Sequence, residues 1–226
     1  MLFEVCVDSA DGARAAVDSG ADRIELCASL DADGLTPSTG LIEWAVRTAA
    51  AGTGGPAVHV LIRPRAGDFV YSEAEADIML RDIAVAKAAG AAGVVIGALT
   101  PSGAVDTRLC ASLVAAARPA SVTFHRAFDA AADPLPAFGE VMALGVDRLL
   151  TSGARSTALA GASCITELIR RAQGRVTILA GGGITEVTAP EVVQRTGVRE
   201  LHFSARSSGP PGIPLRTRIE RIMASV

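Results

Sequence analysis

Aromatic residues are scarce: one tryptophan, one tyrosine and six phenylalanines make up 4% of the 226 residues. Trp44 and Tyr71 read as packing or subunit contacts, and the chain lacks the aromatic-basic interleaving of nucleic-acid binders. It also lacks an excess of one charge. Lys and Arg number 21 against 24 Asp and Glu, a net charge of −3, so neither nucleic acid nor an anionic membrane is an expected partner. The longest uncharged run, Ala88 to Val105, is broken by four glycines and Pro101, and reads as helix end, strand and loop rather than a membrane span. The four cysteines, Cys6, Cys27, Cys110 and Cys164, show no close pairing motif. Glu4 and Asp8 interrupt the first apolar stretch and no basic segment opens the chain, so no secretory leader is expected. Reduced thiols in the cytoplasm follow as the default.

Short β-rich runs alternate with alanine-rich helical ones. Eight strands are expected, at Leu2–Val7, Arg23–Cys27, Val58–Ile62, Gly93–Gly97, Ser121–His125, Arg148–Thr151, Val176–Ala180 and Glu200–Ser204. Helical spacing fills the gaps, as in Ile78, Leu80, Ile83, Val85 and Ala86, and a last helix is expected near Leu215–Ala224. Alternation from end to end predicts an α/β fold with a parallel sheet, and eight units of this length predict a single (βα)8 TIM-like barrel over residues 1–226. The competing fold is an open doubly wound sheet, which more often has about five to seven strands. A repeat supports closure: a glycine, two residues and a strand recur at Gly20, Gly90, Gly145 and Gly197.

Strand side chains alternate faces. The apolar series Phe3/Val5/Val7, Ile24/Leu26, Val58/Val60/Ile62, Val122/Phe124 and Leu201/Phe203 marks the face toward the helices. Glu4/Cys6, Glu25/Cys27, His59/Leu61/Arg63, Thr123/His125 and His202/Ser204 then face the lumen. Most barrel interiors are filled by aliphatic residues. Burying these polar groups is costly unless they pair, so they serve either a site or an internal ion-pair lattice with Arg23 and Arg148. The C-terminal strand ends, where barrel enzymes carry their chemistry, bring Arg63, Arg65 with Asp68, His125, Arg126 with Asp129, Ser152, Gly181, Gly182, Gly183, Ser204 and Arg206 toward one mouth. Converging guanidinium groups fit an anionic ligand. The triple glycine and Ser204–Arg206 follow strands seven and eight, where barrels often hold phosphate.

These segments together resemble the CutC family, described as copper-homeostasis proteins. The resemblance covers about residues 1–208 and is carried by Glu4–Ser9, Gly20–Cys27, Gly34–Ser38, Ile62–Arg65, Gly67–Phe69, Thr123–Asp129, Leu150–Gly153, Gly181–Gly183 and Glu200–Arg206. Ala180 and Ala66 stand where family members usually carry proline and glycine. The resemblance implies a TIM-like barrel, a cytoplasmic setting, homo-oligomers and Cu(I) binding.

Two functional readings stand side by side. In the first, Cys6 and Cys27, on neighbouring strands, offer thiolates to Cu(I), a soft ion; the competing reading makes both small core residues. In the second, the chain is an enzyme for a small anionic, in some cases phosphorylated, metabolite. Glu25 and His125 then move protons, while Arg63, Arg126 and Arg206 clamp charge. His202 serves either a site or the core. His59 is expected at the closed end, and Cys110 and Cys164 in helices are expected to be structural.

Overall fold

The polar residues that open the helices act as caps. Ser9, Ser38, Asp106 and Asp133 each accept a first-turn backbone N–H through the side chain. Ser72 and Glu75 form a reciprocal capping box. Such oxygens satisfy amides that have no partner inside the helix. The computed structural model describes residues 1–51, 54–204 and 215–226. Its order is β1 (Leu2–Val7), α1 (Ala10–Asp18), β2 (Arg23–Leu26), α2 (Thr39–Ala50), β3 (Ala57–Leu61), α3 (Glu73–Ala88), β4 (Gly93–Ile96), α4 (Thr107–Ala117), β5 (Ser121–Phe124), α5 (Pro134–Ala143), β6 (Arg148–Thr151), α6 (Ala162–Ala172), β7 (Thr177–Gly181), α7 (Thr188–Thr196), β8 (Glu200–Ser204) and α8 (Leu215–Ala224).

The repeat glycines Gly20, Gly90, Gly145 and Gly197 follow α1, α3, α5 and α7 with φ of +73°, +89°, +71° and +68°. A Cβ at Gly20, Gly145 or Gly197 would meet nothing within 4 Å. The left-handed backbone that ends the helix, not lack of space, therefore calls for glycine there.

All neighbouring strands pair in parallel, and β1 pairs with β8, which closes the barrel and rules out the open sheet. Strand ends differ from expectation by about one residue. Cys27, Ile62, Gly97 and His125 lie just past β2, β3, β4 and β5, where the chain leaves the ladder for its loop. Two short 3-10 segments, Leu30–Ala32 and Arg126–Ala130, sit in those loops; they are too short to leave a periodic pattern in sequence. The outward series joins the helices in one core, whereas Cys6, Cys27, Leu61 and Val95 form a separate cluster inside the barrel. Among the described residues, no helix is long and apolar enough to cross a membrane.

Candidate functional site in the barrel lumen

At the N-terminal end of the lumen the charges satisfy one another. Arg23 Nε donates to Glu4 and its Nη2 donates to Glu200 Oε2 at 2.6 Å. Arg148 Nε reaches the same Glu200 oxygen at 3.1 Å, and its Nη1 donates to Ser121 at 2.8 Å. Glu4 is fully buried. Burial alone would raise its pKa, but hydrogen bonds and charge from His202 and Arg23 outweigh this and hold it down at about 2. His59, also in this half, is kept neutral by burial, which lowers its pKa to about 4. Its ring lies where a Cβ on Gly93 would stand, 2.6 Å from Nε2.

One layer toward the C-terminal mouth, β1, β2 and β8 bring Cys6, Glu25 and His202 together, with one ligand atom from each lying within 4.8 Å of the others. Register places them: Cys6 pairs with Glu25 on one side and Ser204 on the other, and His202 pairs with Glu4. Cys6 Sγ donates to Glu25 Oε1 at 3.3 Å and lies 3.8 Å from Cys27 Sγ, which in turn donates to Val7 O at 3.4 Å. The Cys27 contact, burial and the Glu25 charge together raise the Cys6 pKa well above the ordinary thiol value. Burial raises that of Glu25, whose Oε2 has no partner. Burial would lower the pKa of His202, but the charges of Glu25 and Glu4 raise it. Its Nδ1 is 2.7 Å from Glu4 Oε1, which leaves Nε2 as the nitrogen available to a ligand. Cys110 lies elsewhere, buried in the helix layer with its thiol pKa raised to about 12 by burial. Cys164 is half-buried on α6, and all four thiols are free.

Cys6, Glu25 and His202 floor a cavity of about 980 Å³ that opens at the C-terminal mouth. His125 lines it at the end of β5. Its Nδ1 accepts the Ala127 N–H at 3.1 Å, while its buried Nε2 has no partner. Burial, with Arg63 nearby, lowers its pKa to about 3. Phe69 packs on the ring at 5.1 Å between centroids, and a Cβ on Gly97 would fall 2.5 Å from its Cε1 and Nδ1. Arg63 is buried, and its guanidinium spans two loops: Nη1 donates to Ala32 O and Gly34 O, Nη2 to Gly67 O. It also stacks on Phe69. That donor set pins loops more than it clamps an anion.

Arg126 lines the cavity, its Nε donating to Asp129 at 2.9 Å and its Nη2 to Ser152 Oγ at 3.1 Å. Asp129 also accepts the Ser152 and Ala154 amides and the Thr151 hydroxyl, so it knits the loop after β6. Gly182 and Gly183 line the wall beside Arg126, and Gly181 ends β7 opposite His202. Ser204 lines the mouth. Arg65 and Asp68 are elsewhere: Arg65 bonds both Asp68 and Glu75 on the exposed side of the loop. Arg206 lies outside the described residues.

Several participants escape sequence reasoning. Phe69 is an aromatic in a loop, and Gly97 looks like a strand end, yet together they clamp His125. Asp33 and Arg155 also reach the cavity from loops with no distinguishing pattern.

Residues 1–207 match the CutC family. The human copper homeostasis protein cutC homolog is 45% identical over 225 residues, covering all of this chain and 81% of that protein. A CutC family protein of Bacteroides fragilis is 46% identical over 207 residues, covering 92% of this chain and 81% of its own. The crystal structure of a CutC protein from Streptococcus agalactiae superposes with a TM-score of 0.85 at 32% identity, covering 92% of this chain and 100% of that one. A thiamine phosphate pyrophosphorylase from Pyrococcus furiosus, at TM-score 0.67 and 15% identity over 99% of this chain and 94% of that one, shares the fold.

Proposed function

The chain belongs to the CutC family, and from that premise we infer that it is a cytoplasmic copper-homeostasis protein that binds Cu(I) in its lumen. The observation that carries this is the Cys6–Cys27 thiol pair, 3.8 Å apart, with His202 and Glu25 beside Cys6. Thiolates suit Cu(I), and imidazole is a fitting further ligand. Glu4 on His202 Nδ1 is the kind of outer partner that orients a metal-binding histidine. Both thiols must lose protons when the ion enters, and Glu25 already accepts from Cys6. Competition against a Cu(I) chelator tests the site. Cys6→Ser and Cys27→Ser should lose tight binding, and Cys110→Ser should keep it. Unchanged affinity in the Cys6→Ser/Cys27→Ser double variant would remove the assignment.

A second reading rests on size. A cavity of about 980 Å³ lies at the upper end of the range of small-molecule sites, about 300–1,000 Å³, and an ion fills little of it. This favours an organic ligand as well: a small anionic metabolite, with Arg126 and Arg206 assigned to its charge and Glu25 to proton exchange. Inorganic phosphate should then raise the melting temperature saturably. Equal stabilisation of wild type and an Arg126→Ala/Arg206→Ala variant at matched ionic strength would leave only general salt effects.

A further inference from the structure

We propose that His125 is a fixed hydrogen-bond donor to an organic ligand. On this view the cavity takes small anions bearing a carbonyl oxygen, which accepts from His125 Nε2–H while Arg126 holds the anionic end. The inference rests on the organic-ligand reading and deepens it by naming the substrate class.

A neutral imidazole carries one proton, and the hydrogen bond at one nitrogen decides where it sits. The Ala127 amide is a donor, so Nδ1, 3.1 Å away, must accept. The proton is therefore on Nε2, which is buried, unpartnered and part of a residue that lines the cavity. An N–H buried without a partner is costly. A ligand oxygen repays that cost, whereas a cation or another donor does not.

The ring is closely packed, with its Nδ1 edge held toward the Ala127 amide. Phe69 closes one side at 5.1 Å, Phe124 lies 6.1 Å away, and the absent Cβ of Gly97 leaves only enough room for the ring as it stands. Arg63, stacked on Phe69 and anchored to three carbonyls, braces that contact. Arg126 is aimed by Asp129 and Ser152, and it lines the same cavity with its side chain still 45% exposed. Glu25, which lines the same cavity and whose Oε2 is also unpartnered, offers an acceptor for a ligand hydroxyl. A neutral imidazole donating to a carbonyl beside a carboxylate is the arrangement used for enolising carbonyl compounds.

The test uses the full-length protein labelled with 15N-histidine and 15N-arginine, with the three histidines and Arg126 assigned by single His→Gln and Arg126→Ala variants. In ligand-free wild type, His125 should show a protonated Nε2 and a bare Nδ1 throughout about pH 5 to 8. Pyruvate and dihydroxyacetone phosphate are then titrated to millimolar concentrations. A saturable shift of His125 Nε2 with either probe, weakened roughly tenfold or more by Arg126→Ala, supports the assignment. The probe that binds distinguishes a carboxylate from a phosphate at the anionic end. A proton on Nδ1, or on both nitrogens, overturns the donor role. Probes that shift Arg126 but leave His125 unmoved overturn it too, while the organic-ligand reading survives. If neither probe moves any cavity resonance, both fall.

Discussion

The two halves of the lumen are built from the same residue types and behave oppositely. Toward the N-terminal end, Glu4, Glu200, Arg23 and Arg148 form a chain of ion pairs in which each charge meets its complement. Toward the C-terminal mouth, Glu25 Oε2, Arg63 Nε and His125 Nε2, all on residues that line the cavity, are buried without partners. Charges that pair with one another, as they do here with the neutral His59 Nδ1 left unpartnered beside them, hold a fold together; polar groups left incomplete at the edge of a large cavity await something from outside. His202 joins the halves, with Nδ1 on Glu4 and its ring in the upper site. Ligand contacts thus stand on an ion-paired floor.

The sharpest break in this contrast comes from removing one charge on each side. Arg23→Met leaves buried Glu4 with His202 alone and Glu200 with Arg148 alone, and should cost about 3–5 kcal/mol. Glu25→Gln removes a charge that has no cation bonded to it, and should leave the urea midpoint unchanged or higher. Comparable losses in the two variants would mean that the upper carboxylate is also part of the structural lattice.

Acidification probes the same difference. His125 and His59 have folded pKa values lowered to about 3 and about 4, below the ordinary value near 6.5. Between those limits the unfolded chain binds more protons, so stability rises with pH and is lost as pH falls from about 6.5. Each histidine contributes up to about 1.4 kcal/mol per pH unit in that window. Urea melts across pH should show the slope, and His125→Gln should reduce it. A slope unaffected in that variant would mean that His125 is solvated in the folded state.

A smaller effect sharpens the upper half alone. Gly97→Ala places a methyl 2.5 Å from the His125 ring. Overpacking of this kind costs about 1–3 kcal/mol, and the displaced ring should lose its hydrogen bond from Ala127. The denaturation midpoint measures the first and the imidazole 15N shifts measure the second.

Much of the barrel was legible in the order of residues because its signals are local. Alternation of Val5, Ile24, Val60 and Leu201 with Cys6, Glu25, His59 and His202 needs only the two-residue period of a strand to sort inside from outside. The glycines at 20, 90, 145 and 197 announce helix ends by their backbone requirement alone. Cys6, Cys27, Glu25 and His125 were recognisable as candidates because polar residues on a lumen face stand out against the usual aliphatic filling, and Arg126 because it follows the C-terminal end of a strand. Partnership was not legible. Nothing in the sequence states that Glu200 rather than Glu25 takes Arg23 and Arg148, that Arg63 spends its donors on loop carbonyls, or that Arg65 turns outward to Glu75. Those outcomes depend on strand register and on loops that meet across the barrel, where residues far apart in sequence come within hydrogen-bond distance. The chain by itself determined a closed barrel with a polar lumen; only the tertiary structure decided which of those polar groups are satisfied by one another and which remain open to a ligand.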